Sequence, residues 1–250
     1  MAPRAPATER AFGDVALVLC AHGIRGGIGA AADHASGLRA LGLFGEVHAC
    51  ALKGRPGLVE TVAAVRGTTI VVAPMLMAEG YTLAAVHRRL EGVARPGLRR
   101  LVCPPVGVHP RLADIISARA LTLCAARAWR PADSALLIVG HGTERHRDSG
   151  ATARRHAARI AAQHRFAEVA VAFLDEPPRV CDALDALSAA QCVAVGLFVD
   201  AGEHGQEDIP ALLVPAGQRA AYAGPIGPDP LISEVILDQV YAALAASIAA

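Results

Sequence analysis

The 250-residue chain is written twice, and that repetition constrains its fold more than any other feature. The run Ala16-Leu-Val-Leu-Cys-Ala-His-Gly23 is matched by Ala135-Leu-Leu-Ile-Val-Gly-His-Gly142. Val47-His-Ala-Cys-Ala-Leu-Lys53, with Pro56 following, is matched by Val169-Ala-Val-Ala-Phe-Leu-Asp175, with Pro178 following. Pro74-Met-Leu-Met-Ala-Glu-Gly80 pairs with Gly196-Leu-Phe-Val-Asp-Ala-Gly202, and Pro105-Val-Gly-Val-His-Pro110 pairs with Pro225-Ile-Gly-Pro-Asp-Pro230. Four blocks recur in one order at an offset of about 120 residues, the signature of an internal duplication.

Each half alternates short apolar runs with helical stretches. Strands are expected near 15–20, 46–52, 69–76 and 98–103, and again near 135–140, 168–174, 192–199 and 219–223. Helices are expected over Ala151–Ala162, Val180–Ala190 and Leu231–Ala245, among others. Runs rich in apolar residues suit parallel strands buried on both faces, and the alternation implies crossover helices. The expected class is α/β: two similar lobes, each a four-stranded parallel sheet flanked by helices. The division is a tail at 1–13, an N-terminal lobe at 14–130 and a C-terminal lobe at 131–250. Pro110 and Pro230 are placed to open helices, with His109 and Asp229 as caps, so the Val/Ile-Gly-x-x-Pro turns are assigned to structure.

Composition narrows the function. Lys and Arg number 24 against 23 Asp and Glu, and a net charge of +1 argues against a general nucleic-acid binder. The hydrophobic share is 53% with mean hydropathy +0.37, carried mostly by Ala, Val and Leu. No uninterrupted apolar run of about 18 residues occurs, so no membrane span is expected. The first dozen residues lack the apolar core of a secretory signal, and a cytoplasmic protein is expected. Six cysteines without C-x-x-C spacing give no support to zinc ribbons, iron–sulfur sites or thioredoxin-like motifs.

In parallel α/β sheets ligands bind beyond the carboxyl ends of the strands. In the second half three polar positions fall there: His141 after the first strand, Asp175 and Glu176 after the second, and His204 after the third. Two imidazoles and a carboxylate suit a borderline divalent metal, and neutral imidazole also accepts protons. The matching first-half positions are His22, Lys53 and Thr82. A lysine there repels a cation, so the chemistry belongs to the C-terminal half. His34, His48, His87, His156 and His164 are expected to carry none of it.

Gly140-His-Gly-Thr143, Ala172-Phe-Leu-Asp175 and the block from Gly196 to Pro210 (GLFVDAGEHGQEDIP) resemble the class II tetrapyrrole chelatases. The similarity is to the sirohydrochlorin cobaltochelatase/ferrochelatase group, CbiX/SirB type. Tyr222-Ala-Gly-Pro-Ile-Gly227 and Met77-Ala-Glu-Gly-Tyr81 are similar to its long, two-repeat form, and the resemblance covers about residues 15–245. It implies two lobes facing a cleft that holds sirohydrochlorin, with His141 and His204 as the metal-handling histidines. The family's acid carries over to Asp175 by position. The family usually has Glu and a longer loop where this chain has Asp175-Glu176-Pro177-Pro178, so either carboxylate can serve. Its common Gly-Ser is here Gly142-Thr143.

The expected catalytic set is therefore His141, His204, Asp175 and Glu176, with the metal on the two histidines. Sirohydrochlorin is a polycarboxylate, and Arg145, Arg147, Arg25, Thr143 and His22 are assigned to binding it. Arg154 and Arg155, further along the same stretch, offer the same forks, but a solvated helix face is the favoured reading for them. No organic cofactor and no ATP is implied. The metal is a substrate, Co²⁺ first, with Fe²⁺ or Ni²⁺ as alternatives, in cobalamin or siroheme biosynthesis. A monomer or small homo-oligomer without nucleic-acid or membrane partners is expected. Two other classes stay open: a non-catalytic tetrapyrrole or metal carrier, and a nucleotide-binding enzyme. The second is disfavoured because Gly23-Ile-Arg-Gly-Gly-Ile-Gly29 has neither a G-x-G-x-x-G register nor a Gly-Lys-Ser/Thr.

Overall fold

The computed structural model describes residues 11–23, 27–93, 95–143, 150–200, 202 and 204–248, for His204 the backbone alone. The first repeat contributes β1 (Phe12–Ala21), α1 (Ala30–Ala40), β2 (Phe44–Ala51), α2 (Leu58–Ala64), β3 (Thr69–Met75), α3 (Tyr81–Glu91), β4 (Arg99–Val102) and α4 (Leu112–Ala126). The second contributes β5 (Ser134–Gly140), α5 (Ala151–Ala161), β6 (Glu168–Phe173), α6 (Val180–Ala186), β7 (Gln191–Gly196), α7 (Ile209–Leu213), β8 (Ala220–Pro225) and α8 (Leu231–Ile248). The strands form two parallel four-stranded sheets of identical order, β2-β1-β3-β4 and β6-β5-β7-β8.

The central strands β3 and β5 are buried at every residue, which is why their sequences are apolar without alternation. On one face of the second sheet, Val180, Ala183 and Leu184 of α6 and Ile209 and Leu213 of α7 pack on Leu137, Val139 and Ala194. On the other lie α5, against β5 and β6, and α4, against β7 and β8. In the first sheet, Leu58 and Val62 of α2 and Val86 and Leu90 of α3 cover Val18, Ile70 and Val72. Two compact units result: Met1–Pro74 with Ala85–Cys103 and Ile236–Ala250, and Met75–Ala84 with Pro104–Val235. The final helix of the first repeat thus builds the second unit, and the end of α8 joins the first, where the Tyr241 ring lies 5.6 Å from that of Phe12. Among the described residues α8 is the one helix whose length and mean hydropathy, 1.5, match a membrane span. It buries a stripe of Ile232, Val235, Ile236 and Val240 while Glu234 and Asp238 stand exposed, the pattern of a helix packed on protein.

The duplication extends to individual hydrogen bonds. Ala51 N–H donates to Pro56 O at 2.8 Å and Phe173 N–H to Pro178 O at 2.9 Å, each closing a turn with a cis proline. Glu46 accepts from the backbone N–H of Arg66 and Gly67, as Glu168 accepts from Ala189. Arg95 donates to the carbonyls of Val65 and Gly67, as Arg219 does to Leu187 and Ala189. The turn leaving α2, and its counterpart leaving α6, is held by one acid on its donors and one arginine on its acceptors. Pro110 and Pro230 precede the helices rather than opening them: α4 begins at Leu112 with Arg111 as its N-cap and no side-chain cap bond, and α8 begins at Leu231. Asp229 and His109 accept from the N–H two residues on, of Leu231 and Arg111.

The glycines of the Val/Ile-Gly-x-x-Pro turns are required by close approach. A Cβ on Gly107 would lie 2.2 Å from the Met77 backbone, and one on Gly227 2.0 Å from Val199 O. There the Gly107 N–H meets Leu76 O and the Gly227 N–H meets Phe198 O, clipping each fourth loop to the third. Gly227→Ala is expected to destabilise by about 1–3 kcal/mol in urea unfolding, by overpacking against backbone. Gly37→Ala, at an exposed position of α1 with nothing within 4 Å, is expected to stabilise by up to about 1 kcal/mol.

His156 is a structural residue. It is 2% exposed, and its Nε2–H donates to Gly107 O at 2.7 Å, tying α5 to the same turn. Burial holds its imidazole below the ordinary value, with Arg155 and Arg159 pushing the same way against the Gly107 bond. The unfolded chain therefore takes up a proton near pH 6.5 that the folded one refuses. Stability is expected to be full above that value and to fall as pH drops through it. Urea midpoints at about pH 8 and about pH 5 test this, and the slope should flatten in His156→Gln.

Candidate metal-handling site

In each sheet the second strand of the chain lies to one side of the first and the third to the other. The crevice at this switch point opens beyond the carboxyl ends of β5 and β7 in the second sheet. His141 follows β5 directly, and β7 pairs with β5 along Ser134–Val139. The ladder between β5 and β6 continues past its last strand residues: Leu174 N–H donates to Gly140 O at 3.2 Å and Asp175 N–H to His141 O at 2.9 Å. His141 and Asp175 are thereby held side by side. Asp175 Oδ2 lies 3.1 Å from His141 Nδ1, and Gly142 O lies 3.1 Å from the same nitrogen.

Both oxygens are acceptors, so Nδ1 is the nitrogen that carries the ring proton. The lone pair is then on Nε2, the atom for binding a cation or taking a proton. A carboxylate on the far nitrogen is the arrangement that fixes the ring and tautomer of metal-binding histidines. Both side chains are more than half exposed, at 53% and 58%, so the pair stands at an open rim.

Glu176 turns the other way. It is 8% exposed, accepts from Thr143 N–H at 2.9 Å and lies 3.6 Å from Arg154 Nη1. The sequence left Asp175 and Glu176 interchangeable; the fold gives Asp175 to the imidazole and Glu176 to the loop behind it. Gly142, at φ +71°, makes room, since a Cβ there would lie 2.6 Å from Glu176 Cγ and 2.8 Å from Phe173 Cβ. A Cβ on Gly150 would meet Arg154, Glu176 and Phe173 within 2.6 Å. Arg154, read from sequence as helix surface, is tied down here, with its guanidinium carbon 4.9 Å from the centre of the Phe173 ring. Spacing along α5 gave no sign of this, because the partners come from the loop after β6.

His204 opens a π-helical turn, His204–Asp208, leading into α7; its side chain lies outside the described atoms. Arg25, Arg145 and Arg147 also lie outside the described residues. Among the described residues, no group of three or more His, Cys, Asp and Glu side chains is gathered for a metal. The first repeat reproduces the backbone and not the chemistry: Lys53 N–H donates to exposed His22 O at 2.8 Å, placing a lysine where Asp175 stands. Thr82 lies in the first turn of α3. Cys103 and Cys192 are buried, which pushes both thiols up to about 12, well away from thiolate chemistry.

Comparison with known proteins bears on the family and the fold. The CbiX family model matches residues 16–123 and again 135–243. A Halobacterium salinarum protein named as a probable sirohydrochlorin cobaltochelatase is 29% identical over 90% of both chains. The solved structure of CbiX, named as the terminal enzyme for biosynthesis of siroheme in denitrifying bacteria, superposes with a TM-score of 0.72. It is 27% identical over 91% of this chain and 98% of its own. DR2241 of Deinococcus radiodurans, a multi-domain protein described as structurally similar to chelatases, gives a TM-score of 0.77 at 26% identity. The match covers 92% of this chain and 55% of that longer one. With both repeats matched in order and over most of their length, the chain belongs to the CbiX family.

Proposed function

We propose that this protein inserts a divalent metal, Co²⁺ first among the alternatives, into sirohydrochlorin. The observation that carries the reading is the His141–Asp175 pair at the switch point of the second sheet, in a chain whose two halves both match CbiX. The cobalt assignment draws on the name of the Halobacterium relative. Fe²⁺ remains the alternative, since the CbiX of solved structure is named for siroheme biosynthesis.

Insertion requires a ligand for the arriving cation and acceptors for two pyrrole N–H protons. His141 Nε2 supplies the lone pair, and Asp175 fixes the ring and contributes negative charge beside it. His204, on the loop after the adjacent strand β7, is the proposed second imidazole, and both histidines hold the cation while the protons leave. Thr143, Arg145 and Arg147 on the loop after His141, with His22 and Arg25 in the first repeat, are proposed to meet the edges and carboxylates of the macrocycle. Metal exchange for protons involves no electron or group transfer, so the proposed step calls on no redox or group-transfer cofactor, and no ATP is invoked.

The test is the absorbance change of sirohydrochlorin on adding Co²⁺ or Fe²⁺. His141→Ala and His204→Ala are each expected to slow insertion by about 10²–10⁴-fold, the range for loss of an acid–base group. Asp175→Asn is expected to cost about 10–100-fold, as for the partner of a metal-binding histidine. Lys53→Ala, at the same place in the first repeat, is expected to change nothing. Unchanged rates in both histidine variants would remove the proposed site, and a requirement for ATP would point to another chelatase class.

A further inference from the structure

The duplication provides an internal control on what each cluster of side chains is for. The acid–arginine clamps on the turns after α2 and α6 are present in both repeats, as a device that only holds the fold should be. The cluster behind His141 is not. Phe173 corresponds to Ala51, since each donates its N–H to the cis proline of its turn. Three residues further on, Glu176 corresponds to Gly54. The buried face of α1 (Ala30, Ala31, His34, Ala35, Leu38) matches that of α5 (Thr152, Ala153, His156, Ala157, Ile160) at this same offset, so Arg154 corresponds to Ala32. The first repeat thus replaces ring, acid and base by Ala51, Gly54 and Ala32, and it also lacks the carboxylate beside its histidine. The same backbone folds in both, so the trio answers to something other than folding.

Its geometry says what. The Arg154 guanidinium lies over the Phe173 ring at 4.9 Å, with one nitrogen 3.6 Å from Glu176 Oε1, and the side chain remains 47% exposed. The other oxygen of Glu176 holds the Thr143 N–H at 2.9 Å, two residues from His141. An arginine stacked on a ring and paired on one edge has less rotamer freedom to lose on binding, and its other N–H donors keep the fork that fits a carboxylate.

We propose that Arg154 receives a carboxylate of the bound tetrapyrrole. In this reading, which rests on the chelatase function above, Phe173 and Glu176 are the positioning residues that hold the guanidinium at the rim beside His141.

Binding of metal-free sirohydrochlorin tests this without turnover. The macrocycle's absorbance is titrated with wild type, Arg154→Gln, Arg154→Lys and Glu176→Gln, and the titration is repeated with its methyl ester in dilute detergent. Loss of one charge-assisted contact should weaken the acid form about tenfold or more in Arg154→Gln, with partial recovery in Arg154→Lys. The ester should bind wild type and Arg154→Gln equally. Glu176→Gln should lower the preference for acid over ester, and adding Arg154→Gln to it should cost less than in the wild-type background. A role confined to folding would weaken acid and ester alike. Wild-type affinity for the acid in Arg154→Gln, or equal losses for acid and ester, would overturn the assignment while leaving the chelatase reading intact. Failure of the wild type to bind sirohydrochlorin would overturn both.

Discussion

The hydrogen bond from Asp175 N–H to the His141 carbonyl, 2.9 Å long, carries the β5–β6 ladder one step beyond its strands. Side chains at the ends of a sheet ordinarily belong to loops that can rearrange. Here the first residue after β5 and the second after β6 are still in register, so imidazole and carboxylate are as well placed as two strand residues. The ring proton, the direction of the Nε2 lone pair and the exposure of both groups follow from that one backbone constraint. The same bond in the first repeat, Lys53 N–H to His22 O, presents a cation instead. One scaffold therefore carries two rims with different electrostatics, set apart first by Lys53 against Asp175.

The parts of the fold set by apolar periodicity were legible in the sequence. The expected strand at 135–140 is Ser134–Gly140, that at 69–76 is Thr69–Met75, and the helix expected from Ala151 runs to Ala161. Misplaced boundaries have local causes. The helix expected to Ala190 stops at Ala186, because Leu187 turns extended at ψ 131° and the chain then enters the acid–arginine clamp. The strand expected to 199 ends at Gly196, where Leu197 N–H bonds to Val139 O and the Tyr222 hydroxyl occupies the space a Cβ would need. Which sheet each terminal helix completes was not legible, since an amphipathic stripe states that a face is covered and not by what.

The candidate site was legible by position and not by direction. The repeat located His141 and the two acids at strand ends. Only the fold separates Asp175, at the imidazole, from Glu176, under the loop, because neighbouring residues leaving a strand point apart. Arginine carried the least readable information. With near-zero net charge, the sequence assigns arginines to solvent or to a polyanionic substrate. Arg95 and Arg219 instead satisfy backbone carbonyls, and Arg154 stands between a ring and an acid. Long side chains with several donors take partners far away in sequence, and no spacing rule reports them.

The claim on which the account turns is that one cation is shared by the imidazoles of His141 and His204. X-ray absorption at the cobalt edge, on Co²⁺-loaded protein without tetrapyrrole, counts imidazole ligands directly. Two are expected in the wild type and one in each of His141→Ala and His204→Ala. A coordination shell of oxygen alone, or an imidazole count that neither substitution lowers, would contradict it.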